Sequence, residues 1–480
     1  MATGTTRALP APSRPAWARP SRRTHWWRPA TTPHAALAAL LFAAYALVSA
    51  LRYRQHASSS WDLAIFTQAV KAYAHARTPI TPIKGEDFNI LGDHTSPITA
   101  TLAPLWHLWP SPLLLLTAQA ALLAWSAAVV SDTAARHLGH TRGLCIGTAY
   151  GLSFGLLRAI DVDFHETSFA APLLAVVGRQ LLARRWHRAA YWALPLLLVK
   201  EDLGLTVATI GLLITIQGRR WITGPLLVAA GLAATAAAIW WLIPHFNHAG
   251  TYAYWDKAPH GWQQALWQPI SRLQTWKTIG WTLGITGFLA ARSPLLLLTA
   301  PTLGWRLLST NPVYWGTDWH YSAVLMPVAF LAATDAATRH RDSRRLTLRA
   351  LTDRTVTALP AVALACMCAL GYGPAELTRP QAWTTGPITQ ARNAALATIP
   401  DGARVEATTA VLAPLAARTD TYWYGGSHTR LPDYIVMDRH DWTEAPKPED
   451  AAAAGAALHP GAQYEVVFSR EDITVLRLTP

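Results

Sequence analysis

Residues 189–217 read AAYWALPLLLVKEDLGLTVATIGLLITIQ. Two apolar stretches meet at Lys200-Glu201-Asp202, with Arg184, Arg185 and Arg188 ahead of them and Arg219 and Arg220 behind. Read as a single membrane span, the run would hold three charges in its middle. Read as two half-length segments joined at those charges, it keeps both arginine groups on one side. Short loops rich in Lys and Arg stay cytoplasmic. A single crossing would also send the six arginines of 335–354 outside, so the broken reading is preferred. Short or broken segments beside a polar cluster commonly line a cavity, and ionisable groups at membrane depth are candidates for function. A mutually paired structural triad is the plainer alternative.

Outward from that stretch, arginine-rich loops alternate with loops rich in acids, His and aromatics. The basic set is 1–33, 131–142, 184–188, 218–220, Arg292 and 335–354; the other set holds Asp62, Glu86, Asp87, Asp93, Asp161, Asp163, Glu166, Glu201, Asp202, Asp256 and Asp318. A span needs about 20 apolar residues, fewer where the bilayer thins. Spans are expected near 34–51, 111–130, 143–158, 168–183, 189–199, 203–217, 221–243, 274–291, 293–308, 321–334 and 355–372. The expected fold is thus an α-helical integral membrane protein of about eleven spans, N-terminus cytoplasmic and C-terminus extracytoplasmic, in the plasma membrane. All eleven acids named above then face outward, and carboxylates gathered on one side suggest chemistry there.

Composition agrees. The chain is 51% hydrophobic and 14% charged, whereas a soluble protein carries about 25% charged residues. The net charge of +13 does not read as nucleic-acid binding: residues 1–372 hold 32 Lys and Arg against 15 acids, while 373–480 hold 9 against 13. The excess lies in the membrane part, mostly on its inner face, where anionic lipid attracts it. The three cysteines, Cys145, Cys366 and Cys368, lie in apolar runs with spacing wrong for a disulfide framework or zinc site. No cleavable signal is expected; the Pro/Arg-rich tail 1–33 reads as disordered and 34–51 as a first anchor.

Three parts follow: the tail 1–33, a transmembrane domain 34–372, and a small extracytoplasmic α/β domain 373–480. In the last, helices are expected at 390–399 and 410–417, strands at 404–408, 421–424 and 434–438, and a closing hairpin at 464–468 and 473–478. Loop 52–97 should carry a helix over 62–76 and an interfacial helix over 98–109 after it. Loop 244–273 is dense in aromatics, including Tyr254 and Trp255. An aromatic belt at the interface explains them most simply; a platform for sugar rings or a lipid headgroup is the functional alternative.

Five polar clusters carry possible chemistry. Asp62, beside Trp61 where the chain leaves the first span, reads as a helix N-cap or as a reactive carboxylate. Asp93-His94 follow. In Asp161-Val162-Asp163-Phe164-His165-Glu166, positions 161, 163 and 165 share one face of an extended loop. Asp161, Asp163 and Glu166 could ligate a divalent cation, or the group could position a proton donor and acceptor. Lys200-Glu201-Asp202 and Trp315-Gly316-Thr317-Asp318-Trp319-His320 complete the set.

Together the segments WDLAIF, NILGDHTSP, DFHE, LLVKEDLGL and TYAYWDKAP resemble a family of polytopic bacterial membrane proteins of unknown function, grouped with the GT-C glycosyltransferases. The resemblance covers roughly residues 34–330. It implies a GT-C-like multi-span bundle, an active site at the outer membrane face and a polyprenyl-phosphate-linked sugar as donor. An acid in the first outer loop is the usual catalytic group there, and Asp62 matches it. Family members often carry DFH, a Pro and then an acid; here Glu166 follows His165 directly, which weakens the role of Glu166.

The function expected is therefore a membrane glycosyltransferase. Asp62 would act as general base, with Asp163 and His165 catalytic beside it. Asp93, His94, Lys200, Glu201, Asp202, Tyr254 and Trp255 would bind substrate, Lys200 by pairing with phosphate. The partners expected are membrane lipid and a polyprenyl-phosphate sugar, with no nucleic acid, and a divalent cation is the one cofactor considered. A transporter or flippase coupled through Lys200-Glu201-Asp202 is the rival, though no internal repeat supports it. A non-catalytic assembly protein with a sensor domain at 373–480 is a third reading.

Overall fold

The computed structural model describes residues 32–479 apart from 59, 342, 442–446 and 448–449. The expected basic tail therefore lies almost wholly outside the described residues. Six helices are long and apolar enough to cross a membrane: Thr32–Arg54, Pro112–Leu138, His140–Val162, Thr223–Phe246, His320–Arg341 and Leu346–Leu370. At 1.5 Å per residue, 23 residues of Thr32–Arg54 reach about 35 Å. Shorter apolar helices are Leu203–Gly218 and Pro294–Leu308. The remaining expected spans correspond to Ala170–Leu182, to Trp186–Ala193 with a 3₁₀ turn at Leu194–Leu198, and to Leu273–Gly284.

Local rules explain several ends. Pro112–Leu138 starts on Ser111, whose Oγ accepts from Leu113 N at 3.3 Å, with Pro at the first helical position. It ends with Arg136 and His137 in the last turn and Gly139 at φ 91°. The 189–217 run breaks as its charges require: Pro195 tightens the chain into the 3₁₀ turn, and helix resumes only at Leu203. Leu203–Gly218 then packs against Thr223–Ala237 through glycines. A Cβ on Gly231 would stand 2.3 Å from Gly204 O, so only small residues permit this approach. There Thr235 Oγ1 donates to Glu201 O at 2.8 Å, which fixes the broken turn.

His320–Arg341 is the most enclosed of the six helices. Around it Tyr150, Phe154, Leu174, Val207 and Phe330 belong to one apolar core. Leu40, Leu226, Trp240, Trp241 and Leu346 stay exposed, as suits a surface facing lipid.

The basic and acidic loops sit at opposite ends of this bundle. At one end Asp132 pairs with Arg136 (2.8 Å) and Arg179 (2.6 Å), Arg142 with Asp353 (2.9 Å) and Arg339 with Asp335 (2.7 Å). At the other, loops 56–96, 163–169, 200–202 and 247–260 meet.

The C-terminal sheet has five strands in the order β2-β1-β3-β5-β4, with β1 Arg404–Ala407, β2 Asp420–Trp423, β3 Tyr434–Asp438, β4 Tyr464–Arg470 and β5 Ile473–Leu478. β1 runs parallel to β2 and β3; β5 runs antiparallel to β3 and β4. Helices Pro387–Ala397 and Leu412–Arg418 flank it. The sheet's core is shared with loop 52–97: Leu63, Phe66 and Val70 pack with Val405, Leu412, Val436 and Val475. Gln68 Nε2 donates to Thr421 O at 2.8 Å. The helix carrying Asp62 is thus clamped between the bundle and the C-terminal sheet. The expected interfacial helix 98–109 is instead a 3₁₀ turn, Pro97–Leu102, followed by one helical turn, Ala103–Trp106.

Candidate functional site

Asp62 lies in the first turn of helix Trp61–Ala74, but it does not cap that helix. The N-cap is Ser60, at φ 60° and without a side-chain cap bond; its Oγ accepts from Ala413 N at 3.0 Å instead. The missing acceptor comes from 100 residues away: Leu63 N donates to Asp163 Oδ2 at 2.9 Å, and Phe164 N donates to Asp163 Oδ1 at 2.7 Å. Asp163 anchors the helix start and leaves Asp62 free to point inward. There the Asp62 carboxylate, with its side chain 38% exposed, meets His165 Nε2 at 3.1 Å.

The His165 loop is itself pinned. Gln119, buried in Pro112–Leu138, donates to Ala159 O and Asp163 O (both 2.8 Å) and accepts from His165 N (3.1 Å). The His165 ring stacks on His320, centroids 3.3 Å apart. Burial by itself would raise Asp62, but the His165 cation opposite outweighs it and holds the carboxyl below its ordinary range. Burial likewise opposes charge on His165, and Asp62 reverses this, raising the imidazole above 6.5. Behind them burial, then the Asp62 charge, push Asp163 up to about 7.

A second knot closes the far wall. Glu201 Oε1 lies 2.7 Å from His94 Nδ1, and Glu201 Oε2 accepts from Thr95 N at 3.2 Å. Tyr254 OH sits 2.7 Å from His94 Nε2 and donates to Asp93 Oδ1 at 3.2 Å. Asp93 pairs with Lys84; burial would raise its carboxyl, but Lys84 and His94 drive it far down. Lys200 Nζ pairs with Glu166 Oε1 at 3.1 Å, and Trp305 Nε1 donates to Asp202 Oδ2 at 2.8 Å.

Between these walls is a cavity of about 550 Å³. Asp62, Asp93, His94, His165, Lys200, Glu201, Asp202, Tyr254 and Trp255 all line it, so residues up to 193 positions apart converge. Asp163 does not line it and acts as a positioning residue behind Asp62.

The expected cation set is not assembled. Both Asp161 oxygens accept from Gly373 N (2.9 and 3.0 Å), Asp163 takes two backbone N–H groups, and Glu166 holds Lys200. The three carboxylates face different partners, because each relieves its own burial locally. Asp161 pins the chain entering the C-terminal domain.

Sequence reasoning passed over other lining groups. Lys84, Tyr252, Trp305 and Tyr314 are among them, while His320, from the fifth polar cluster, lines the cavity too. The most informative is Lys257. Its Nζ donates to Tyr314 OH at 3.2 Å and stands 4.3 Å from the Tyr254 ring centroid. Among the described residues no carboxylate lies within 4.0 Å of it, unlike Lys84 and Lys200. Its backbone is fixed: Thr310 N and Ser309 Oγ both donate to Lys257 O (2.8 and 3.2 Å). The signal was present in TYAYWDKAP, a lone Lys inside an aromatic run, where the rings drew the attention instead.

Residues 52–467 match the family described as "Predicted membrane protein (DUF2079)", and the chain belongs to that family. None of the curated proteins matches the chain.

Proposed function

We propose that this DUF2079 membrane protein is a glycosyltransferase of the GT-C kind, moving a sugar from a polyprenyl-phosphate donor to an acceptor at the outer face of the plasma membrane. The reading takes the six long helices and five shorter segments as about eleven crossings, with the arginine-rich end cytoplasmic and the C-terminal domain outside. The observation that carries it is the cavity's composition. It holds a half-exposed carboxylate bonded to an imidazole and, on the facing wall, a lysine with no carboxylate within 4.0 Å among the described residues.

Those groups fit the demands of glycosyl transfer. An acceptor hydroxyl attacks the sugar's anomeric carbon while the bond to the phosphate oxygen breaks, its electron pair staying on phosphate. Asp62 takes the acceptor proton. Its protonation removes the charge that holds a proton on His165, so the pair passes one proton onward. Lys257 meets the phosphate as a point-charge donor, with Tyr252, Tyr254 and Trp255 as flat walls for the sugar. Lys200 is committed to Glu166 and serves the cavity's shape rather than the donor. These steps use the side chains alone.

The test is to add polyprenyl phosphate to the purified protein in lipid discs and determine the bound structure. The headgroup should lie against Lys257, within reach of Asp62. A lipid phosphate bound outside this cavity would count against the reading.

A further inference from the structure

A second cluster lies in the C-terminal domain, away from the cavity. Glu406 is on the interior strand β1, His428 in the loop between β2 and β3, and His459 just after helix Ala451–Leu458. His428 Nε2 and His459 Nε2 both approach Glu406 Oε2, at 3.0 and 2.6 Å. The side chains of Glu406, His428 and His459 are 1%, 2% and 11% exposed. Among the described residues this is the one group of three or more His, Cys, Asp or Glu whose ligand atoms all lie within 4.8 Å of one another.

The hydrogen bonds behind the cluster tell what it is for. His428 Nδ1 lies 2.9 Å from Arg430 O, which can only accept, so Nδ1 carries the proton. Nε2 is then the ring nitrogen turned toward the Glu406 carboxylate, where it donates when protonated and offers a lone pair to a metal ion when neutral. A ring nitrogen bonded to a backbone carbonyl, with the other nitrogen turned inward, is how metal-ligating histidines are oriented. Glu406 is fixed in the same manner, its Oε1 accepting from Gly425 N at 2.6 Å.

We infer that Glu406, His428 and His459 form a binding site for a divalent first-row transition ion of the zinc class. Imidazole and carboxylate donors suit such ions. Ligand bonds of about 2.0–2.2 Å set tetrahedral ligand atoms about 3.3 Å apart, an opening of under about 1 Å from each His–Glu distance. Three protein ligands leave a fourth position for water. The ion would staple three separate pieces of the domain, one of them a loop that grips the membrane part. Next to His428, Thr429 N and Oγ1 donate to Glu86 Oε2 (2.7 and 2.6 Å), and Arg430 pairs with Glu86 at 2.8 Å. Glu86 is two residues from Lys84 of the cavity wall, so the ion would order the seam between the sheet and the first outer loop.

The test uses the full chain without a polyhistidine tag, stripped with chelator in detergent and titrated with Zn²⁺ against a competing chelating indicator. The expected result is one zinc per chain, with affinity reduced more than about tenfold by His428→Ala and by His459→Ala. Zinc-edge X-ray absorption of the wild type should show two imidazoles, a readout that does not depend on variants folding or on any transferase activity. Failure of the wild type to take up stoichiometric zinc, an absorption spectrum without two imidazoles, or wild-type affinity in either His variant would overturn the site.

Discussion

Replacing Lys257 by Met separates binding from folding. Among the described residues its ammonium meets the Tyr314 hydroxyl and the rings of Tyr254 and Tyr314. Losing a cation–π contact costs about 0.5–2 kcal/mol, and Met keeps most of the apolar stem, so the fold should be little disturbed. A hydrogen bond to a charged group is worth about 1.5–3 kcal/mol. If Lys257 meets the donor phosphate, its loss should weaken binding of polyprenyl monophosphate by about 10- to 150-fold. Lys257→Arg should retain part of the affinity, since charge is kept while shape changes. The assay is a titration of the lipid phosphate into purified protein, read by native mass spectrometry, beside a thermal unfolding curve for each variant. Binding by Lys257→Met within about threefold of wild type, with the fold intact, would refute the reasoning. Loss of binding accompanied by unfolding of Lys257→Met would refute the claim that this lysine is structurally dispensable.

Lys200→Met should behave in the opposite way, destabilising the protein by about 3–5 kcal/mol because Glu166 is left buried without its cation; adding Glu166→Gln should restore much of the loss, as monitored by thermal unfolding in detergent. The Asp62–His165 pair sets a pH window: the His165 contribution is complete below its ordinary 6.5 and is lost as pH rises through the raised value, while that of Asp62 is present above its ordinary 3.8 and is lost as pH falls through the lowered one. A pH profile of thermal unfolding should therefore show stability falling above 6.5, a decline that His165→Gln removes, and an unchanged decline in that variant would exclude His165 as its source. For topology, Ser427→Cys should react with an impermeant thiol reagent on intact cells and Ser343→Cys only after permeabilisation; the reverse would invert the assigned orientation.

Charge beside apolar sequence was the most legible signal. Lys200, Glu201 and Asp202 could not sit in lipid, and the chain breaks there. His94, Asp93, Asp62 and His165 converge on the same cavity because each needs a partner out of water. Alternation and turn residues marked the C-terminal strands, with Tyr434–Asp438 and Ile473–Leu478 appearing over their expected residues. What escaped depends on partners without a side-chain signature. Asp163 caps a helix 100 positions away through backbone N–H groups that every residue type offers. The packing of Leu63 and Val70 beneath the sheet follows from tertiary docking, since their apolar face is equally suited to lipid. Gln119 carries no distinguishing signal in its apolar surroundings, although its amide pins the His165 loop. Glu406, His428 and His459 are spread over 53 positions and match no compact ligand motif.

The central claim is that Asp62 takes a proton in sugar transfer. Because Asp62 does not cap its helix, Asp62→Asn tests chemistry and not helix capping. The measurement is sugar transfer from a polyprenyl-phosphate donor by equal amounts of purified wild-type and Asp62→Asn protein. The account predicts transfer by the wild type and a loss of about 10²–10⁴-fold in the variant, with donor binding retained. Transfer by Asp62→Asn at the wild-type rate, or no transfer by a folded, donor-bound wild type, would contradict it.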